Sequence, residues 1–339
     1  MRKLTTFLGL LALAYLGGSC AESPLSESEE TTDLPVLSPA NTRTFGELRY
    51  CASMDVLADQ LKEDPSLQAR MDNIEATTQR IIAGKALSAA ALGPDDVITI
   101  PVVFNVLYRT NQENISLAQI QSQIDVLNED FGNTNTDLSQ TPGAFAGSIG
   151  NMKIRFTLAK VNRKSTTKTQ WGTNNAIKKT AKGGIAPTDP SKNLNIWVGN
   201  IGGGILGYAQ FPGGSAATDG VVIGPNYVGR TGYVSAPFNK GRTATHEVGH
   251  WMNLRHIWGD DGTGCSGSDL VADTPNAAGP NYGCPTFPKT SCSNGPNGDL
   301  WMNYMDYTDD ACMFMFSAGQ VVRSRAIFAA GGPRSTFVP

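Results

Sequence analysis

The 339-residue sequence predicts a mixed α/β (α+β) domain with a loop-rich lower part, and three observations support this fold class. Strand-like segments alternate with segments of helical periodicity up to a helix near residue 250, and irregular chain follows. Glycine accounts for 37 residues, which indicates many tight turns. Charged residues are 17% and hydrophobic residues 40%, a composition too apolar for a disordered chain and too poor in charge for a coiled coil.

The first 44 residues predict an export signal followed by a tether. The chain begins with Met1-Arg2-Lys3, and residues 4–18 carry no charge. A basic start followed by an apolar stretch is typical of a secretory signal, and this stretch is too short to span a membrane. Small residues before Cys20 resemble a bacterial lipobox, so Cys20 is predicted to carry a lipid; cleavage after Ala21 and plain secretion is the alternative. Residues 21–44 are rich in Ser, Glu, Thr and Pro and predict a flexible acidic tether.

The rest of the chain divides at Gly93-Pro94. Residues 45–92 have helical periodicity that is interrupted at Asp64-Pro65, and residues 93–339 form the main domain. The elements predicted after the boundary are strands at 97–108, 152–158, 194–198, 208–211 and 221–223, and helices at 115–131, 243–254 and 321–330. Residues 259–300 have no periodic pattern and are predicted as loops.

Net charge excludes one class of partner. The formal net charge is −3 and the pI about 5.7, whereas a nucleic-acid-binding domain normally carries a basic excess. We therefore expect no nucleic-acid partner.

A metal-binding pattern lies on the helix predicted at residues 243–254. His246 and His250 are four residues apart, so both imidazoles lie on one helix face and can bind one zinc ion. Glu247 can serve as general base toward a water activated by that metal. His256 can join only if the chain turns sharply near Asn253, a residue type that tolerates positive φ. All three histidines of the protein lie between residues 246 and 256.

The string HEVGHWMNLRHIWGD resembles the pappalysin branch of the metzincin zinc peptidases, and NYMDY around Met305 resembles their Met-turn. The resemblance implies a metzincin-like catalytic domain, with a twisted sheet, a backing helix and an active-site helix above a loop-rich lower subdomain. It also implies that Met305 forms an apolar floor under the histidines. Tyr307 is implied to approach the zinc or the substrate carbonyl oxygen, the alternative being a half-buried loop tyrosine.

Four cysteines surround the loop-rich region: Cys265, Cys284, Cys292 and Cys312. Four cysteines allow three disulfide pairings, and a structural four-cysteine zinc site is a further alternative. The pappalysin resemblance implies the pairs Cys265–Cys292 and Cys284–Cys312.

Cys51 precedes the main domain in the sequence Arg49-Tyr50-Cys51-Ala52. This arrangement resembles pro-segments in which a cysteine binds the catalytic zinc and keeps the enzyme latent, although Ala52 stands where the family usually has Gly. The alternatives are a buried cysteine or one that joins two chains.

A calcium site is predicted after the zinc helix. Asp269, Asp273 and Thr274 offer oxygen ligands in irregular chain, and the family carries calcium in this region. Turn-forming aspartates are the alternative. Asp309-Asp310 is a second candidate for calcium binding.

The substrate cleft is predicted along Tyr208 and Ala209, because this segment resembles the metzincin edge strand that binds an extended peptide. Family members often prefer Arg or Lys just after the cut bond. Met313, in the chain that is expected to form the pocket wall, is apolar and predicts a preference for apolar residues instead.

Together these features predict a zinc endopeptidase of proteins and peptides that is made as a Cys51-latent zymogen. It is expected to be exported from a bacterium, either as an outer-membrane or cell-surface lipoprotein or as a secreted protein. The alternatives are a binding protein on the same scaffold with structural zinc, and an adhesion lipoprotein.

Overall fold

The structure is a computed structural model that describes residues 48–84, 96–262 and 264–338. The predicted export signal with Cys20, the tether at residues 21–44 and the boundary at Gly93-Pro94 lie outside these residues. None of the helices in the described ranges is long and apolar enough to cross a membrane.

A mostly parallel sheet forms one half of the main domain. The strands are Ile98–Tyr108 (β1), Ile149–Gly150 (β2), Ile154–Ser165 (β3), Leu194–Val198 (β4), Gly207–Ala209 (β5), Val221–Ile223 (β6) and Phe316–Ser317 (β7). The larger sheet has the order β3-β1-β4-β6-β5, and β2 pairs separately with β7. Its strands are parallel except β5, which is antiparallel to β6 and occupies the sheet edge. An edge strand offers free main-chain groups to an extended peptide.

Five helices accompany the sheet in the described residues: Ser53–Glu63 (α1), Ser66–Ile82 (α2), Leu117–Phe131 (α3), Arg242–Trp251 (α4) and Ala318–Ala326 (α5). Helices α3 and α4 pack against each other, and Ile120, Leu127 and Val248 join the cluster that contains Phe104 of β1. Trp197 and other side chains of the strands form a separate cluster. The apolar run of β1 is buried on both faces from Val102 to Leu107, as its density predicts.

The predicted elements form, with shifted bounds that have local causes. Helix α4 ends at Trp251 rather than residue 254, because Asn253 has a left-handed φ of 72°. Strand β3 begins at Ile154, directly after Lys153 with φ of 53°, and extends to Ser165. Helix α5 begins earlier than predicted, because Ser317 and Gln320 form a capping box at its N-terminus.

The lower part of the domain is irregular, as predicted, and two disulfides cross-link it. The structure contains no helix or strand in the described residues of the range 259–300. Cys265 pairs with Cys292 and Cys284 with Cys312, with Cα–Cα distances of 5.4 and 5.5 Å. These are the pairs that the family resemblance implies, and each closes a loop of 27 or 28 residues.

Candidate metal centre

Helix α4 brings the first two histidines together, and the turn after it supplies the third. The side chains of His246, His250 and His256 are almost fully buried. Their Nε2 atoms face one another, at 3.2 Å between His246 and His250 and 3.1 Å between His250 and His256. Two nitrogen ligands on a tetrahedral zinc ion, each at about 2.0 Å, are separated by about 3.3 Å. The three rings are therefore spaced for one zinc ion.

The outer nitrogen of each histidine has a fixed partner. The Nδ1 partners are Tyr304 O for His246 at 2.7 Å, Leu254 O for His250 at 2.9 Å, and Asp260 Oδ1 for His256 at 2.6 Å. These contacts place the proton on Nδ1 and leave Nε2 free to bind metal. Burial, followed by the neighbouring rings, lowers the pKa of His246 and His250 well below 6.5 and favours the neutral form that metal binding requires.

Two packing details explain the local sequence. Asn253 adopts the left-handed conformation that the spacing of the histidines predicts. A Cβ at Gly249 would lie 2.3 Å from Sδ of Met305, so this helix position must be glycine for the Met-turn to pack beneath it. Met305 is fully buried against α4, as the resemblance implies.

Cys51 completes the group of ligands. Its Sγ and one nitrogen of each of the three histidines all lie within 4.8 Å of one another, and all four residues are buried. Cys51 is not part of a disulfide. Three imidazole nitrogens and one sulfur form a donor set that zinc prefers. The residues present therefore fit a zinc ion with Cys51 as fourth ligand.

Glu247 lies beside this group and is occupied by the N-terminal segment. Its Oε2 accepts hydrogen bonds from Ser53 Oγ at 2.8 Å and Cys51 Sγ at 3.3 Å. Burial raises the pKa of Glu247 to about 7, although the contacts with Cys51 and Ser53 and the charge of Arg49 oppose this change. A carboxyl group with this pKa can both accept and return a proton near neutral pH.

Tyr307 closes the opposite side of the group. Its ring centroid is 4.9 Å from that of His256 in an edge-to-face arrangement. Its hydroxyl donates a hydrogen bond of 3.1 Å to the main-chain oxygen of Cys51. Tyr307 thus already binds a peptide carbonyl beside the metal ligands.

Trp258 and Asp260 hold the third histidine. The ring of Trp258 stacks on His256 with a centroid distance of 4.3 Å and an angle of 6°. It also contacts Tyr307 edge-to-face at 4.8 Å. His256 and Tyr307 therefore share one aromatic support.

Arg49, which lies two residues before Cys51 in the sequence, occupies a pocket of the main domain. Its Nη2 lies 2.5 Å from Asp310 Oδ1, and its Nε and Nη1 donate to Thr308 O and Thr243 Oγ1 at 3.2 and 3.4 Å. The guanidinium lies 5.0 Å from the ring centre of Phe238. The pocket combines a carboxylate with an aromatic face, which together favour a cationic side chain.

The edge strand binds the N-terminal segment through main-chain atoms. Cys51 forms a parallel bridge with Gly207, in which Ala52 N donates to Gly207 O at 3.1 Å. Ala209 N donates to Ser53 Oγ at 2.7 Å. The side chain of Tyr208 is fully buried with Trp197. The predicted cleft strand thus presents its main chain, rather than the tyrosine ring, to a bound segment.

The other predicted site residues have structural partners. Asp269 accepts from Thr274 Oγ1 at 2.7 Å, while Asp273 accepts from Ser317 Oγ and Gly319 N at 2.6 and 2.8 Å. Asp273 therefore binds the start of α5 and Asp269 binds its own loop. Met313 is fully buried in the main hydrophobic cluster. The carboxylate that contacts Arg49 is Asp310, which the sequence pattern had grouped with the acidic pairs.

Sequence reasoning assigned no contact in this site to Arg49, Ser53, Trp258 and Asp260, and it took Asp310 as a calcium candidate. The spacing of Asp260, an acidic residue four positions after His256, could have indicated its contact with that histidine. The contact of Arg49 with Asp310 joins positions 261 residues apart, so no local pattern indicates it.

Comparisons with known proteins agree with this geometry. The peptidase M43 family model, described as pregnancy-associated plasma protein-A, matches residues 185–329. An extracellular metalloprotease of Pyricularia oryzae is 36% identical over 221 residues, which cover 63% of this chain and 68% of that protein. Mature mirolysin of Tannerella forsythia in complex with a cleaved peptide is 49% identical, with a TM-score of 0.70, and the match covers 71% of this chain and 96% of that chain.

A promirolysin mutant from the same organism is 43% identical, with a TM-score of 0.77, and the match covers 85% of this chain and 97% of that chain. The range that the family model matches includes the His–Glu–His helix, the third histidine and the Met-turn that the structure brings together. The chain therefore belongs to the pappalysin family of metzincin metallopeptidases and is a zinc metalloendopeptidase.

Proposed function

We propose that this protein is an exported zinc endopeptidase held latent by its own N-terminal segment, residues 48–84, which we call the pro-segment. The catalytic domain is then the predicted range 93–339, of which residues 96–262 and 264–338 are described. One observation carries the proposal: Sγ of Cys51 lies with the three histidine nitrogens in one group of ligand atoms. A thiolate in the fourth ligand position excludes the water that peptide hydrolysis needs.

The contacts of Glu247 support latency independently. When bound in the mature enzyme, zinc would activate water and polarise the substrate carbonyl. Glu247 would accept the proton of that water and return it to the leaving amine. In the latent protein its carboxylate is instead bound to Ser53 and Sγ of Cys51 lies beside it, so the pro-segment occupies both the base and the water position.

Tyr307 is the proposed oxyanion donor. Its hydroxyl binds the carbonyl oxygen of Cys51, a peptide group placed next to the metal ligands. After the pro-segment leaves, the same hydroxyl can donate to the oxygen of the peptide bond being cut, where negative charge develops.

A known relative also favours a zymogen. The promirolysin structure matches a larger share of this chain than mature mirolysin does, 85% against 71%. The pro-segment of this protein is a stretch of chain that could account for the larger share. The mature relative was determined with a cleaved peptide, which supports peptide substrates for this protein as well.

The pocket of Arg49 supports a substrate preference. Asp310 and Phe238 already hold one arginine side chain there. We propose that the vacated pocket accepts Arg or Lys of the substrate next to the cut bond, in place of the apolar preference that Met313 suggested.

The Asp310→Asn variant tests this preference. We expect the ratio of kcat/KM for a Lys peptide over its norleucine analogue to fall about tenfold or more, because a charge-assisted contact is lost. Asp309→Asn, the same change one residue away, should keep the wild-type ratio. An unchanged ratio in Asp310→Asn contradicts the assignment.

Two further features belong to the proposal. The named relatives are extracellular, which supports export, and Cys20 would carry the lipid anchor. A Cys20→Ser variant should then appear in the medium with its activity unchanged.

Asp269, Asp273 and Thr274 remain the proposed calcium ligands. Calcium titration followed by thermal melting would test this assignment.

The main test compares the full-length wild type with Cys51→Ala, Glu247→Gln and the double variant. Each is assayed for peptide cleavage with and without chelator, and for zinc content. We expect Cys51→Ala to become active faster than wild type. Glu247→Gln should keep its zinc and lose at least about a hundredfold in rate, since the general base is removed.

Two results would contradict the proposal. Wild-type activity in fully processed Glu247→Gln would exclude the role of the base. Failure of every form to cut peptides, with zinc bound, would favour the binding-protein alternative.

A further inference from the structure

A cavity of about 320 Å³ lies between the pro-segment and the catalytic domain. The catalytic domain contributes Phe211, Pro212, Asn253 and Arg255 to its walls. The ring centroid of Phe211 is 5.2 Å from that of His250, so the cavity adjoins a metal ligand. The helices of the pro-segment cover this surface without filling it.

A buried arginine joins the two sides of the cavity. Arg323 of α5 donates from Nη1 and Nη2 to the two carboxylate oxygens of Glu75 at 2.9 and 2.7 Å. Its Nε donates to the main-chain oxygen of Asn253 at 2.9 Å, and its side chain is 1% exposed. The bond to Asn253 lies within the catalytic domain, so it can keep the guanidinium oriented when Glu75 leaves.

Two other donors face the same region. Arg255 lies near enough that its positive charge contributes to lowering the pKa of Glu75. The amide Nδ2 of Asn253 is buried and has no hydrogen-bond partner among the described residues, while the residue is 7% exposed. A buried donor without a partner is costly, and an acceptor group placed there would satisfy it.

We propose that Asn253, Arg255 and Arg323 form a substrate subsite for an acidic side chain, which Glu75 occupies in the latent protein. The proposal rests on the proposed endopeptidase function. Three donors and two positive charges on the catalytic-domain side select a carboxylate, and the adjoining ring of Phe211 favours an apolar neighbour.

The position of the subsite along a substrate follows from how the pro-segment contacts the edge strand. Arg49 precedes the bridge of Cys51 to Gly207, whereas the cavity wall at Phe211 lies beyond Ala209, which binds Ser53. The two pockets therefore lie toward opposite ends of β5. The acidic residue of a substrate should therefore lie on the opposite side of the cut bond from the basic residue.

The test uses enzyme activated from the full chain by limited cleavage and freed of the pro-segment. Paired peptides contain Glu or Gln, scanned singly through four positions on each side of the cut bond. At one position we expect Glu to raise kcat/KM about tenfold over Gln. The ratio should approach one in Arg255→Gln and in Arg323→Gln.

Arg325→Gln is the matched control, because it removes the same charge from the same helix; Arg325 donates to Met152 O instead. It should keep the wild-type ratio. Equal kcat/KM for Glu and Gln at every position would overturn the subsite. A loss in Arg323→Gln and Arg255→Gln that is the same for both peptides would also overturn it, since the arginines would then have only a structural role. If no peptide is cut at all, the proposed function has failed instead.

Discussion

At the scale of single residues, the three histidines proposed to bind zinc are not equivalent. His246 and His250 donate to main-chain oxygens, whereas His256 contacts the carboxylate of Asp260. Asp260 has a left-handed φ of 58°, directly after Gly259 with φ of 75°. These two residues turn the chain back onto the third ligand. A carboxylate partner fixes the orientation of the imidazole and raises its basicity.

The Asp260→Asn variant should therefore bind zinc about 10–100-fold more weakly, because an amide replaces the carboxylate beside His256. Competition with a chromophoric chelator measures the affinity directly, without reference to activity. Asp261→Asn is the control, since Asp261 contacts Ser266 and Gly267 and not a ligand. Equal zinc affinity in the two variants would show that Asp260 is dispensable.

At the scale of elements, the pro-segment is attached at several separate points. Its start lies along β5 and places Cys51 at the metal ligands, while α2 contacts α5 through Glu75 and Arg323. The chain between these points forms helix α1, whose Leu57 packs with Phe211. Release of the pro-segment thus requires the helices to separate from the domain as well as Cys51 to leave the three histidines.

Acidification should weaken the contact through Glu75. Burial alone would raise the pKa of Glu75, but the hydrogen bonds and charge of Arg323 outweigh it, so the pKa lies below the ordinary 4.5. Because the pKa is lowered, the Glu75–Arg323 ion pair stabilises the binding of the pro-segment above pH 4.5. This stabilisation is lost as the pH falls through the lowered pKa. We expect the Cys51 thiol to become more reactive over this range.

The measurement is the rate of labelling of Cys51 by a disulfide reagent that reacts in acid. Glu75→Gln should react faster than wild type above pH 4.5, and the two rates should converge at lower pH. Glu63→Gln, an exposed acid at the end of α1, should follow the wild type. Identical pH profiles for wild type and Glu75→Gln would rule out this role.

At the scale of the whole molecule, the metal centre joins parts of the chain that are otherwise separate. Helix α4 contributes two of the candidate ligands, the turn after it contributes His256, and the Met-turn packs beneath them against Gly249. Two disulfides cross-link the loops on the same side. A bound metal therefore stabilises the junction between the sheet half and the loop-rich half.

Removal of zinc should lower the melting temperature of the protein. Zinc at a hundredfold excess over Kd stabilises the folded state by about 2.7 kcal/mol, which corresponds to about 5 °C or more in a domain of this size. Calorimetry before and after chelation measures the shift. Glu247→Gln should show the same shift as wild type, and His250→Gln should show almost none. A chelator effect of equal size in His250→Gln would mean that the metal binds elsewhere.

The sequence by itself indicated the histidine cluster with the neighbouring Glu247, the left-handed turn at Asn253 and the alternation of strands and helices. These features depend on short-range spacing, because helix geometry alone places His246 and His250 on one face. The resemblance to a family added the disulfide pairs, and it suggested the proposed role of Cys51. Element ends were less certain, since caps such as Ser317 with Gln320 depend on single local contacts.

Only the tertiary structure decided which distant residues surround these ligands. Asp310 meets Arg49 across 261 residues and Arg323 meets Glu75 across 248, contacts that no periodicity encodes. The side chain of Tyr208 is buried while the main chain of its strand meets the N-terminal segment, because the neighbouring Gly207 faces Glu247 and successive strand residues point to opposite sides of the sheet. The chemistry of zinc hydrolysis is thus encoded locally, whereas latency and substrate choice depend on how the chain folds back on itself.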